Sequence, residues 1–419
     1  MGTLPKAGAR GRVRNGVMRF AVLLSALCLS VAAFGQQPSP LTPKSLLRAL
    51  HEPADAAATR ALHDQVMRWF GRQNLMQGKP VAKIEATTVA WAVMDMQPAR
   101  VLRGNGELLG DMVRLGDDGL QVLVLEMANF QEFQYRIEVD GMPRVAGMVH
   151  LEHYEYSADS QRQPGVPEGR LEKFTWAQSR IFPDTTREVT VYMPAQLRAS
   201  EAACLMVWQD GSRHVDPQGP MRAGIVFDNL IHKKEMPVTI GVFIDPGRKA
   251  GQPPGAKAAN RSFEYDSLGD AYARFLTEEI LPEVSRRYAL QFRPEPEARA
   301  IAGGSSGCIC AFTAAWERPD QFHKVLGWVG TFVDIRGGNA YPYLLRVSER
   351  KPIRVYLLEG TNDLDNKFGN WPLANHMMQA SLKYMGYDHR VDWNECFHGS
   401  RGMGPSLPDA LRWLWRDVR

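Results

Sequence analysis

The stretch RAIAGGSSGCIC, residues 299–310, decides the fold. Arg299 to Ala302 reads as a short strand, and a helical pattern starts at Cys310. Between them lies Gly303-Gly304-Ser305-Ser306-Gly307, the chain's one G-x-S-x-G. A strand that runs through such a turn into a helix holds its serine on a strained elbow with the hydroxyl exposed. Glycines flank the serine because a turn this tight leaves no space for a Cβ. The spacing therefore predicts Ser305 as a nucleophile.

A nucleophilic serine needs a base, and the base needs an orienting acid. In an α/β-hydrolase the chain order is serine, acid, histidine. Asp363 follows Ser305 by 58 residues and closes Gly360-Thr361-Asn362-Asp363, just past the strand Arg354 to Leu358. His398 follows by another 35 residues, past a strand ending near Cys396. Both fall on loops at strand C-terminal ends, where open α/β sheets place their sites. Of the ten histidines only His376, His389 and His398 come after Asp363. His376 falls in a helical pattern and His389 before a strand, which selects His398. Asp365 competes with Asp363, which is favoured by its place directly after the strand. For an oxyanion hole the expected amides are those of Ser306 and of Gly211, in the loop after the strand Ala203 to Trp208.

Working outward, strand-like runs at 187–193, 203–208, 238–244, 299–302, 324–329, 354–358 and 389–395 alternate with helical patterns such as 267–284, 312–316, 373–385 and 407–415. Apolar strands separated by helices imply a mostly parallel sheet covered on both faces, so 170–419 reads as one α/β catalytic domain. The segment 157–169 (SADSQRQPGVPEG) reads as a linker. Before it, residues 81–156 switch to strand periodicity. Phe133, Tyr135, Ile137 and Val139 alternate with polar residues, and Asp140-Gly141 marks a turn. A small β-sandwich is expected there. Residues 36–80 read as a helical segment, with Thr42 capping a helix that starts at Pro43 and a second helix over 55–70.

The first 35 residues hold Lys6, Arg10, Arg12, Arg14 and Arg19 and no acid, followed by the apolar run Phe20 to Ala33. Ala33-Phe34-Gly35 offers small residues at the −3 and −1 positions of a cleavage site. This is the pattern of a secretory signal, and its run is short for a bilayer span. A secreted or periplasmic location is expected. Of 50 Lys and Arg, those five leave 45 bases against 46 acids, so the formal +4 becomes −1 and no nucleic-acid partner is implied. A chain 44% hydrophobic and 23% charged is globular rather than disordered. No cysteine–histidine spacing indicates zinc, and neither a metal nor a cofactor is expected.

From about 170 onward the chain resembles the bacterial putative-esterase family that includes enterochelin esterases, feruloyl esterases and the carboxylesterase D type. The matching features are VWQDG at 207–211, NRSFEYD at 260–266, AGGSSG at 302–307, GTND at 360–363 and the His398 loop followed by PDALRWLW. Residues 82–155 are similar to the immunoglobulin-like module that precedes the catalytic domain in enterochelin esterases. The resemblance implies an α/β-hydrolase with Ser305, Asp363 and His398 as its triad, and it makes Arg261 and Glu264 candidate substrate contacts. Relatives often carry glycine where this chain has Cys308 and Cys396. Export permits oxidation, so a Cys308–Cys396 disulfide beside the site is expected, with Cys310 as the alternative partner. Acyl or feruloyl esters of carbohydrates are the implied substrates. A siderophore trilactone, acyl transfer of the mycolyltransferase type and a non-catalytic carbohydrate-binding protein are the alternatives.

Overall fold

Eight strands of the catalytic part pair in the order β1-β2-β4-β3-β5-β6-β7-β8. They are β1 (Arg170–Trp176), β2 (Thr185–Met193), β3 (Ala202–Gln209), β4 (Thr239–Ile244), β5 (Arg299–Gly304), β6 (Lys324–Trp328), β7 (Arg354–Gly360) and β8 (Asp388–Asn394). β2 runs antiparallel to both β1 and β4. From β4 to β8 every pairing is parallel. Alternation along each strand divides the core between the two faces. Leu205 and Val207 of β3 join one apolar cluster, with Ile301, Phe312 and Leu382. Met206 and Trp208 join the other, with Phe227, Leu411 and Trp415. The parallel crossovers supply these covering helices.

The computed structural model describes residues 40–418 except 80–81, 128–130, 152–153, 200, 250 and 253–259. The signal-like segment lies outside the described residues. Leu41–Arg419 forms one compact unit.

Residues 82–150 form two four-stranded antiparallel sheets. One contains Ala82–Glu85, Thr88–Met94, Val113–Arg114 and Leu120–Glu126; the other contains Ala99–Arg103, Leu108–Asp111, Glu132–Val139 and Met142–His150. Val89, Trp91, Val101, Phe133, Tyr135 and Ile137 fill the space between them. Ala90, Ala92, Val122 and Val124 on the outer face of the first sheet are buried under Leu46, Val66, Met67 and Phe70. Those four come from the helix Pro43–His51, which Thr42 caps as its sequence predicts, and from the helix Ala56–Phe70, which starts one residue later than expected with Asp55 as its cap.

Three expectations change. The 157–169 segment is not a loose linker: it packs on the catalytic part. Asp159 is buried and takes Lys233 and Arg412 as partners, while Asn229 donates to its carbonyl. The helix expected over 267–284 is interrupted. Arg261–Asp266 ends before Ser267, and a new helix starts at Ala271 and carries a π-helical turn over Phe275–Ile280. Finally, His389 lies within β8 rather than before it.

Candidate active site

β5 delivers Ser305 to a turn that only a rigid frame tolerates. The serine has φ 58 and ψ −124, and the helix Ser306–Glu317 begins at the next residue. A Cβ on Gly304 would lie 2.1 Å from Trp328 Nε1, and one on Gly303 would lie 2.4 Å from the Gly307 backbone. Both glycines are thus fixed by packing. The Ser305 amide donates to the Trp328 carbonyl at 2.9 Å, which ties the elbow to β6.

Three sequence-predicted residues meet here. His398 Nε2 lies 2.7 Å from Ser305 Oγ, and His398 Nδ1 lies 2.6 Å from Asp363 Oδ1. The Asp363 side chain is 1% exposed, and its Oδ1 also accepts the Leu364 amide at 2.6 Å. Asp363 and His398 sit just beyond the C-terminal ends of β7 and β8. Asp365 is exposed in a two-residue strand against Asn370 and makes no bond to His398. Such a chain of hydroxyl, imidazole and carboxylate can take a proton from an attacking serine and return it to a leaving group.

The amides of Ser306 and Gly307 open a helix, so neither has an acceptor within it. Gly211 is placed differently from the expectation. A Cβ there would lie 2.3 Å from the backbone of Phe243 and Ile244, so the glycine answers to β4 and lies outside the cleft lining. The neighbouring Ser212 amide already donates to Asp245 Oδ1 at 2.9 Å.

Arg261 lines the cleft and forms a two-pronged ion pair with Asp210 at 2.9 and 2.7 Å. Glu264 cannot be a substrate contact. It is fully buried and bound to Arg187 at 2.6 and 2.9 Å, to Asn260 and to the Gly247 amide. The disulfide is also absent. Cys204, Cys308, Cys310 and Cys396 are all free and buried. Cys308 is directed at Gly327 of β6, whereas Cys396 packs against Gly360 and Gly402, so the two thiols fill separate niches. Burial, reinforced by Asp363 and Glu359, pushes the Cys396 thiol up to about 12.

Sequence reasoning missed the residues that brace the serine. Thr331 Oγ1 lies 3.2 Å from Ser305 Oγ and accepts from Trp371 Nε1 at 3.4 Å. The Trp371 ring meets the His398 ring edge-on at 5.7 Å. Glu359 of β7 takes the Gly330 amide on both carboxyl oxygens, at 3.2 and 3.1 Å, while Asn375 donates to the Gly330 carbonyl at 2.9 Å. Burial pushes the Glu359 carboxyl well above the usual range, and Asp363 adds to the shift. The folded state therefore holds a proton that the unfolded chain loses near pH 4, and stability falls as pH rises. Glu359→Gln removes that dependence. It is expected to gain stability relative to the parent between pH 5 and pH 8, read as the difference in urea midpoints; a constant difference would show the carboxyl to be ionised.

A cleft of about 640 Å³ opens above Ser305 and His398. A second cavity of about 290 Å³ lies between the β-sandwich and the catalytic part and reaches Asp363. Arg103, from the sandwich, stacks on Phe133 and donates to Asn362 Oδ1 at 3.2 Å. Among the described residues, no group of three or more His, Cys, Asp or Glu converges as a metal site.

The sheet order and the elbow define an α/β-hydrolase fold. Residues 181–363 match the family model described as "Putative esterase", and this match supports a carboxylic-ester hydrolase. The enterobactin esterase of Shigella flexneri aligns at 15% identity and TM-score 0.55, over 83% of this chain and 99% of that one. The ferric enterobactin esterase of Salmonella typhimurium gives 15% identity, TM-score 0.56 and the same coverage. A ferulic acid esterase of Anaeromyces mucronatus reaches 18% identity and TM-score 0.47 over 62% of this chain and all of its own. At such identities the likeness to the two enterobactin esterases is one of fold. No curated protein matches the sequence.

Proposed function

We propose that this protein hydrolyses carboxylic esters by a serine mechanism, with Ser305 as nucleophile, His398 as base and then acid, and Asp363 as the orienting carboxylate. The observation that carries the reading is the continuous hydrogen-bonded path from Ser305 Oγ through the imidazole to Asp363, at 2.7 and 2.6 Å. Ser305 attacks the ester carbonyl as His398 takes its proton. The oxyanion meets the Ser306 amide. His398 then protonates the departing alcohol, and water repeats the sequence on the acyl-enzyme.

The substrates we propose are acyl or feruloyl esters of carbohydrates. A siderophore trilactone is the second reading, favoured by one observation: the likeness to the Shigella enterobactin esterase extends over 83% of this chain and so beyond the catalytic part. A screen of p-nitrophenyl esters, methyl ferulate, acetylated xylan and enterobactin separates them, and no turnover of any would sink the hydrolase reading. Residues 1–35 are proposed to be a secretory signal, checked by sequencing the exported protein's N-terminus, which should begin at Gln36. Among the described residues no helix is long and apolar enough to cross a membrane.

The sandwich, which we read as immunoglobulin-like, is proposed to complete the substrate cleft through Arg103. Arg103→Ala is expected to lower kcat/KM for a bulky ester several-fold and for p-nitrophenyl acetate less than two-fold. Equal losses on both would mean that Arg103 supports Asn362 and the acid loop rather than substrate.

A further inference from the structure

The wall of the cleft beside Ser305 carries more positive charge than ester chemistry needs. Arg213, Arg248 and Arg261 all line it. Arg261 is neutralised by Asp210. Arg213 and Arg248 are exposed and have no acidic partner among the described residues. The stretch 250–259 that follows Arg248 contains Lys257 and no acid. Asp245 is the remaining carboxylate of the wall and accepts the Ser212 amide. Burial pushes His214 down to about 4, so its ring adds no charge at neutral pH.

These two arginines stand on a fixed base. Both are carried by segments anchored at the C-terminal end of β4. Arg213 belongs to the short helix Gly211–Val215, whose first residue presses on the Phe243–Ile244 backbone and whose second is held by Asp245. Arg248 follows Gly247, whose amide is held by Glu264 within the fully buried Arg187 ion pair. The buried pair thus fixes the backbone from which an exposed guanidinium extends. Two unpaired guanidinium groups on rigid backbone suit an anion that offers two or more oxygens.

We propose that Arg213 and Arg248 form an anion subsite beside Ser305, and that the ester taken by this site carries a carboxylate or phosphate group. The proposal deepens the ester-hydrolase reading and rests on it. The subsite selects by charge, and its contribution weakens as salt screens the exposed guanidinium groups.

Binding to the Ser305→Ala protein, followed by calorimetry, tests the subsite without turnover. Two ester pairs differ only in charge: mono-4-nitrophenyl glutarate against 4-nitrophenyl pentanoate on the acyl side, and 4-acetoxybenzoate against its methyl ester on the alcohol side. In at least one pair the anion should bind about ten-fold tighter at low salt, an advantage that shrinks in 0.5 M (roughly a 4 Å screening length) sodium chloride. Inorganic phosphate should compete with it. Adding Arg213→Gln and Arg248→Gln should abolish the advantage while the neutral member's affinity moves less than two-fold. Equal binding within both pairs, or a preference that survives the double replacement, overturns the subsite. Failure of the unsubstituted protein to hydrolyse any ester bears instead on the ester-hydrolase reading.

Discussion

Ser305→Ala is expected to lower kcat for ester hydrolysis by about 10⁴ to 10⁶ and to leave the fold intact. The chemical loss follows from the path through His398: without Oγ, the base has no hydroxyl to deprotonate and no acyl-enzyme forms. What survives is binding and the oxyanion amides. The small structural cost follows from position. Ser305 borders the cleft, so removing its oxygen opens no core cavity. Its φ of 58 is a backbone cost that alanine bears equally. Two hydrogen bonds are lost, to His398 and Thr331, and their net worth is about 1 kcal/mol each at most in a half-exposed site. The measurement is kcat on p-nitrophenyl acetate beside a thermal melt. A folded variant that keeps more than a few per cent (far above the ~10⁻⁴ expected of a lost triad member) would refute the serine mechanism. Suspicion would then pass to Thr331, the next hydroxyl in reach.

The parts of the site that were legible in the sequence are those whose chemistry is local. Ser305 sits in a motif with its strand and helix attached, and Asp363 and His398 each follow a readable apolar strand. The bracing residues have no such mark. Thr331, Trp371 and Asn375 reach the serine only because β6, β7 and the helix Trp371–Tyr384 pack together, and no local pattern announces that meeting. Gly211 was legible as a constrained glycine, but the constraint is β4 rather than a substrate. Glu264 shows the same limit: a charged residue in a motif looks like a ligand until the buried Arg187 is placed against it. β1 escaped notice because it is an edge strand with only Phe174 buried, so its residues carry no apolar run. Thr88–Met94, by contrast, reads as nearly continuous apolar sequence because helices cover its outer face. The cysteines mislead for a related reason. Near the same site in sequence order, Cys308 and Cys396 point into different niches once the sheet separates them.

Asp363→Asn is expected to lower kcat/KM by about 10³ to 10⁴, while Asp365→Asn changes it less than two-fold. The difference lies in what each carboxylate touches. Asp363 Oδ1 receives the Nδ1 side of His398 at 2.6 Å and is itself positioned by the Leu364 amide. With asparagine, the side chain can offer an N–H where the imidazole must donate, so the ring turns or adopts the tautomer that cannot accept the Ser305 proton. The imidazolium that forms during attack also loses its counter-charge in a pocket where the acid is almost wholly shielded from water. Asp365 is exposed and bonded only within its own small hairpin, so its charge is screened and its loss leaves His398 alone. Glu359, the other carboxyl nearby, spends both oxygens on the Gly330 amide and cannot substitute. Both variants should melt close to the parent. A larger loss from Asp365→Asn in a side-by-side kinetic comparison would transfer the orienting role to Asp365 and require the 361–366 loop to rearrange when substrate binds.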